Sequence, residues 1–64
     1  MLEPEFSRRV AKLMHTEVIQ TLGIRGRFDF ADRVEAAENY EGLAKSDRQL
    51  VLRAEAEVAA KTGN

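Results

Sequence analysis

Side chains that could support catalysis or bind a metal are few in this 64-residue chain. Cysteine is absent and His15 is the only histidine. A lone histidine at the edge of an apolar helix face is usually a half-buried structural residue, and the carboxylates fall on helix faces predicted to be solvated, where nothing raises a pKa for acid–base work. We therefore predict no enzymatic activity, no metal site and no cofactor. The remaining nucleophile candidates are hydroxyl groups, on Ser7, Thr16, Thr21, Ser46 and Thr62.

A glycine-containing basic stretch, Gly-Ile-Arg-Gly-Arg at 23–27, precedes a predicted helix, as a phosphate-binding loop would. It lacks the GxxxxGK[ST] spacing and the preceding strand that a P-loop requires. Asp29 and Asp32 also place negative charge at the start of the following helix. We assign no phosphate site to it.

The overall composition is that of a folded, nearly neutral chain, with 44% hydrophobic residues, 33% charged residues and a net charge of −1. Residues 1–28 carry five basic and three acidic residues (+2), whereas residues 29–64 carry five basic and eight acidic residues (−3). This balance gives no general argument for nucleic acid or an anionic membrane. No apolar run approaches the roughly 20 residues of a membrane span, and the first residues do not resemble a signal peptide. We expect a cytoplasmic protein without membrane attachment.

Apolar residues recur with a helical period, which predicts an all-α fold of three helices in a single domain over residues 1–64. A long first helix is predicted near residues 4–22. It would begin at Pro4, which suits the first turn, and end at Gly23. The segment 22–30 is predicted to be a hinge at which the chain folds back.

Two residues depart from the pattern of the predicted first helix. Ile19 lies beyond the edge of its apolar face, and Glu17 falls inside that face. Glu17 is expected either at the boundary of the face beside an arginine, or buried in an ion pair with Arg25 or Arg27 of the hinge. Such a buried pair would fix the hinge angle more than it would add stability, because desolvation offsets most of the attraction.

The second and third helices are predicted near residues 30–40 and 47–62. The second is short and acidic and would end at Gly42. The third would start with Ser46 as N-cap and Gln49 at N3, a capping box. The predicted core consists of Phe6, Val10, Leu13, Met14, Val18, Leu22, Phe30, Val34, Leu50, Ala54 and Val58. Ile24, Phe28, Tyr40 and Leu43 are expected to seal the ends of the domain.

The third predicted helix carries a second apolar side, which three helices are too few to bury. Leu52, Ala56 and Ala59 lie on it. Alanine tolerates exposure because it is a strong helix former; the alternative is that these small residues allow another helix to approach closely. On the second interpretation the chain is a non-enzymatic protein–protein interaction module, self-associating or binding a different protein. Its interface would consist of Leu52, Ala56, Ala59 and Ile19, with Arg25 and Arg27 as a polar rim.

Short chains of this kind are often small regulators, inhibitors or assembly components, including those of phage and mobile elements. A small helix-turn-helix-like DNA-associated regulator is the alternative, with nucleic-acid contacts from Arg25, Arg27, Arg48 and Arg53. Against it stand the acidic second helix and a turn around Gly42 that is longer than the usual three or four residues.

Overall fold

The chain folds into four α-helices and one 3₁₀ turn in the computed structural model, which describes residues 1–62. The all-α fold is confirmed, and three of the helices are longer than one turn. Within residues 1–62, no helix combines the length and apolar character needed to cross a membrane. The elements are α1 (Pro4–Ala11), α2 (Glu17–Gln20), α3 (Gly23–Ala37), the 3₁₀ turn (Tyr40–Gly42) and α4 (Lys45–Thr62).

The long first helix predicted over 4–22 is wrong, because a turn at residues 12–16 divides it into α1 and α2. The start at Pro4 agrees with the prediction. Thr16 acts as the N-cap of α2: its Oγ1 accepts a hydrogen bond from the Ile19 N–H at 3.3 Å. The Glu57 carboxylate of α4 accepts two more, from the N–H groups of Glu17 at 2.9 Å and Val18 at 3.1 Å. A carboxylate 40 residues away in sequence thus accepts hydrogen bonds from backbone N–H groups that have no partner within the first turn of α2.

This interruption rotates Ile19 and Glu17 relative to the predicted single helix. The Ile19 side chain is completely buried, and Glu17 is exposed. Ile19 is therefore a core residue, and its assignment to a partner interface was wrong. The buried pair of Glu17 with a hinge arginine is also absent from the described residues; Glu17 contributes its backbone N–H instead.

Most of the segment predicted as a hinge is helical, since α3 begins at Gly23 and continues to Ala37. The change of direction is confined to Gly23, whose φ of 78° lies in the left-handed region that favours glycine. Gly26 lies inside α3, where a Cβ would come within 2.9 Å of the Leu22 Cβ. The second predicted helix was thus placed too late, because residues 24–30 belong to it.

The end of α3 also differs from the prediction, which placed it at Gly42. Glu38 follows the last helical residue with φ 70° and ψ −32°, and the Asn39 N–H donates to the Ala37 carbonyl at 2.8 Å. This geometry is close to the rare γ-turn of positive φ. The chain then enters the 3₁₀ turn, which delivers Leu43 into the core.

Helix α4 begins at Lys45, so Ser46 lies inside the helix and the predicted capping box is wrong. Asp47, only 5% exposed, accepts two hydrogen bonds from the Arg33 guanidinium, at 2.8 Å from Nε and 3.1 Å from Nη2. Its carboxylate also suits the first turn of the helix dipole. The start of α4 is fixed by this pair with α3 and by the burial of Leu43 just before it.

The core is smaller than predicted and includes residues from every helix. Met14, Val18, Leu22, Leu50 and Val58 were predicted as core but are only partly buried. In α4 the completely buried positions are Val51 and the predicted Ala54, whereas Leu50 is only partly buried, so the buried side of the helix includes Val51 as well as the predicted face. The buried apolar residues are Phe6, Val10, Leu13, Ile19, Phe30, Val34, Leu43, Val51 and Ala54.

Candidate protein-interaction surface

Helix α3 presents large apolar side chains to solvent. Ile24 is 69% exposed and Phe28 is 68% exposed, and Ala31 is exposed beside them. These residues are four and three positions apart, which places them on one side of the helix. Phe30 and Val34 lie on the opposite side and are buried. We call Ile24, Phe28 and Ala31 the α3 outer face.

A groove of about 580 Å³ runs beside this face. Its second wall is formed by Met14, His15 and Gln20, and Arg27 lies at its rim. The turn at residues 12–16 supplies two of these side chains, so the break between α1 and α2 helps to form the groove. We call it the α3 groove.

The two arginines predicted as a polar rim lie on opposite flanks of the α3 outer face, since residues two positions apart differ by about 200° around a helix. Arg27 is half-buried and its Nε donates to the Gly23 carbonyl at 3.3 Å, on the groove side. Arg25 is exposed on the other flank. Within residues 1–62 neither arginine forms an ion pair.

The remaining predicted interface residues lie together on α4. Leu52 is 50% exposed, and Ala56 and Ala59 are exposed on the same side of the helix. We call these three residues the α4 outer face. The predicted interface is therefore divided among α4, the flanks of α3 and, for Ile19, the core.

The inner side of α4 holds the other helices through its carboxylates. Glu55 accepts hydrogen bonds from Arg9 Nε at 2.6 Å and Nη2 at 2.9 Å, and this arginine lies 4.5 Å from the centre of the Tyr40 ring. The hydrogen bond from Arg9 lowers the pKa of Glu55. The backbone N–H of Glu17 is the main cause that lowers the pKa of Glu57. Both groups are therefore held in the charged form by contacts within the fold.

The arginines of the alternative nucleic-acid surface have different surroundings. Arg48 is half-buried and its Nη1 donates to the Leu43 carbonyl at 2.8 Å, whereas Arg53 is exposed. The connection between α3 and α4 covers residues 38–44 and contains the 3₁₀ turn. It is longer than the three- or four-residue turn of a helix-turn-helix.

The most exposed apolar residues of α3 were missed as site residues, because Ile24 and Phe28 were expected to seal the ends of the domain. That expectation is wrong. The signal that identifies them is the spacing of Ile24, Phe28 and Ala31, which is helical and out of phase with Phe30 and Val34. It becomes readable only if α3 is taken to begin at Gly23.

Comparisons of the chain with models of protein families, with curated proteins and with solved structures found no match.

Proposed function

We propose that this chain is a non-enzymatic interaction module that binds a protein through the α3 outer face and the α3 groove. The observation that carries the proposal is the exposure of Ile24 and Phe28, two large apolar side chains one helical turn apart. A solvent-exposed apolar pair beside a groove is the arrangement into which helices and other apolar segments dock. Contiguous exposed apolar surface of this kind marks interaction sites in soluble proteins.

The energetics favour these two residues as the centre of the contact. Full burial of a phenylalanine or isoleucine side chain contributes about 1.5–3 kcal/mol, and about two-thirds of each is still exposed in this chain. Aromatic and arginine side chains dominate binding at protein interfaces. Phe28 with Arg27 and Arg25 on its flanks fits that composition.

The α4 outer face is a second candidate surface, as the sequence predicts. Its observation is that Leu52, Ala56 and Ala59 remain exposed in the folded chain. Small side chains allow a second helix to approach, but they offer little apolar area. Self-association through α4 is accordingly the weaker form of the proposal.

The test is photochemical cross-linking in cells that produce the chain. A photoreactive phenylalanine analogue replaces Phe28, Leu52 or, as a control in the 3₁₀ turn, the exposed Glu41. We expect discrete protein adducts from position 28, lost when Ile24→Glu is added, and none from position 41. Adducts from position 52 alone would assign the contact to α4 instead. Absence of adducts from both helices would overturn the proposed function.

A further inference from the structure

The turn at residues 12–16 keeps helix-like hydrogen bonds almost to its end. The N–H groups of Leu13, Met14 and Thr16 each donate to the carbonyl three residues earlier, at 2.9, 3.4 and 3.0 Å, as in a tight helical turn. Thr16 then has φ −70° and ψ 152°, which is an extended conformation. The chain therefore changes direction around Thr16, and α2 begins directly after it.

The break removes backbone hydrogen bonds that an uninterrupted helix would form. In an α-helix each N–H donates to the carbonyl four residues earlier, so the N–H groups of Glu17, Val18 and Ile19 would donate to carbonyls of the turn. The Thr16 hydroxyl replaces one of these bonds, since its Oγ1 accepts from the Ile19 N–H at 3.3 Å. Glu57 replaces the other two, because Oε2 accepts from the Glu17 N–H at 2.9 Å and Oε1 from the Val18 N–H at 3.1 Å. Two of the three replacements therefore come from α4.

The segment fixed by these bonds is the second wall of the α3 groove. Met14 and His15 lie just before the break and Gln20 lies in α2, and all three line the groove opposite the α3 outer face. Glu57 is not among the residues that line the groove. It acts on the wall from α4, through the backbone at the start of α2.

We infer that Glu57 is a positioning residue for the α3 groove, whose carboxylate holds the second wall where the partner meets it. The inference rests on the proposed function and adds to it a control of the binding site from α4. Because α2 has only four residues, its position depends on tertiary contacts, namely the burial of Ile19 and the two bonds to Glu57. A partner seated against this wall and the bonds of Glu57 stabilise the same arrangement, so each strengthens the other.

Glu55, two residues before Glu57 on α4, provides a matched comparison. It also accepts two hydrogen bonds from another helix, but from the Arg9 side chain of α1 rather than from the start of α2. Glutamine at position 57 keeps the size of the side chain but has one acceptor oxygen for two N–H groups, and its NH₂ group is a donor. Glu57→Gln should therefore loosen the groove wall, whereas Glu55→Gln should weaken only the attachment of α1.

The first measurement is amide hydrogen exchange in the purified chain, followed by NMR. Glu57→Gln should make the Glu17 and Val18 amides exchange at least about fivefold faster, as expected from the loss of one hydrogen bond. The exchange of Val51, which is completely buried in α4, reports any general loss of stability, and the two amides are compared with it. Glu55→Gln should leave the Glu17 and Val18 amides unchanged relative to Val51.

The second measurement follows the groove itself with spin labels. The chain has no cysteine, so His15→Cys and Phe28→Cys together place one label on each wall, both at exposed positions. Electron paramagnetic resonance should give a narrow distribution of label distances, which Glu57→Gln broadens and Glu55→Gln preserves. Exchange and distances that Glu57→Gln leaves unchanged, or that Glu55→Gln changes equally, would overturn the inference.

The effect on binding is measured with the cross-link from position 28. Its yield in cells should fall severalfold with Glu57→Gln and persist with Glu55→Gln. An adduct that persists at full yield in Glu57→Gln would overturn the inference, because the partner would then not depend on the wall. Absence of the adduct from the wild type would count against the proposed function alone, since hydrogen exchange and label distances require no partner.

Discussion

Helices α3 and α4 are both half-exposed, yet they use their polar side chains in opposite ways. Asp47, Glu55 and Glu57 of α4 turn toward the fold and bind Arg33, Arg9 and the start of α2. On α3, the charges beside the outer face have no ion-pair partner within residues 1–62. The contrast supports the proposal that α3 carries recognition while α4 acts as the scaffold of this small fold.

The apolar residues follow the same division. The α4 outer face has one large side chain, Leu52 at 50% exposure, among alanines. The α3 outer face has Ile24 and Phe28, at 69% and 68%. An exposed alanine costs a helix little, whereas an exposed phenylalanine forgoes more of the free energy of burial. Binding of a partner would therefore bury more apolar area, and gain more free energy, on α3 than on α4.

The largest effect is expected from a substitution in the core, which tests whether Ile19 is buried and Ile24 is exposed. Ile19→Ala removes a completely buried side chain and should lower the free energy of unfolding by about 2–5 kcal/mol. Ile24→Ala, on the α3 outer face, should change the stability of the monomer by less than about 0.5 kcal/mol. Urea unfolding in dilute solution measures both. Equal losses would contradict the assignment of Ile19 to the core and Ile24 to the surface.

These two isoleucines also show how far the sequence alone could be read. Apolar periodicity was sufficient for the all-α fold and for the start of α1 at Pro4. It failed between residues 12 and 30, where a distant group stabilises the start of α2 and Gly23 takes a positive φ at the start of α3. The Glu57 carboxylate that binds the start of α2 lies 40 residues away, so the sequence around residues 12–20 does not reveal it. The only local indication of the break was that Glu17 and Ile19 do not fit the apolar periodicity of a single first helix.

The candidate site was predictable only in part, for the same reason. Leu52, Ala56 and Ala59 were identified because α4 is one uninterrupted helix, and its outer face follows from its period. Ile24 and Phe28 were not, because segment 22–30 was interpreted as a hinge. Two glycines suggested flexibility, but only Gly23 has positive φ, and Gly26 is helical. Local propensity cannot separate these two uses of glycine.

The second prediction concerns the inward carboxylates of α4. Asp47→Asn removes the charge that accepts two hydrogen bonds from Arg33, and it should cost about 1–2 kcal/mol, because the aspartate is buried while the arginine remains partly in solvent. The matched control is Asp32→Asn, an exposed acid on α3, which should leave monomer stability unchanged. Thermal unfolding in dilute solution measures both. If the control costs as much as Asp47→Asn, the division between scaffold and recognition helix fails.

The third prediction is that stability depends on pH through two glutamates of α4. The pKa values of Glu55 and Glu57 are lowered in the folded chain, so their stabilisation is complete above the ordinary glutamate pKa of about 4.3. It is lost as the pH falls through the lowered values. Thermal unfolding between pH 7 and pH 3 should show this loss, and Glu57→Gln should make it smaller. The contradicting outcome is an acid limb that Glu57→Gln leaves unchanged.

The smallest expected effect is a gain in stability at the end of α3. Glu38 holds a positive φ of 70°, which is unfavourable for a residue with a Cβ. Its carboxylate pairs with the N-terminal amine at 3.0 Å, but both groups are largely exposed, so this pair contributes little. Glu38→Gly should therefore raise the free energy of unfolding by about 0.5–1 kcal/mol.

Glu38→Gln is the control for this substitution, because it removes the charge and keeps the strained backbone. It should show no gain in urea unfolding. Neither variant touches the α3 outer face, so both should give the cross-link from position 28 that is expected of the wild type. A gain shared by both variants would trace the effect to the carboxylate, and the positive φ would then not be a cost to this fold. A change in that cross-link would show that the geometry at the end of α3 affects the α3 outer face. The proposed division between scaffold and recognition would then run through α3 rather than between α3 and α4.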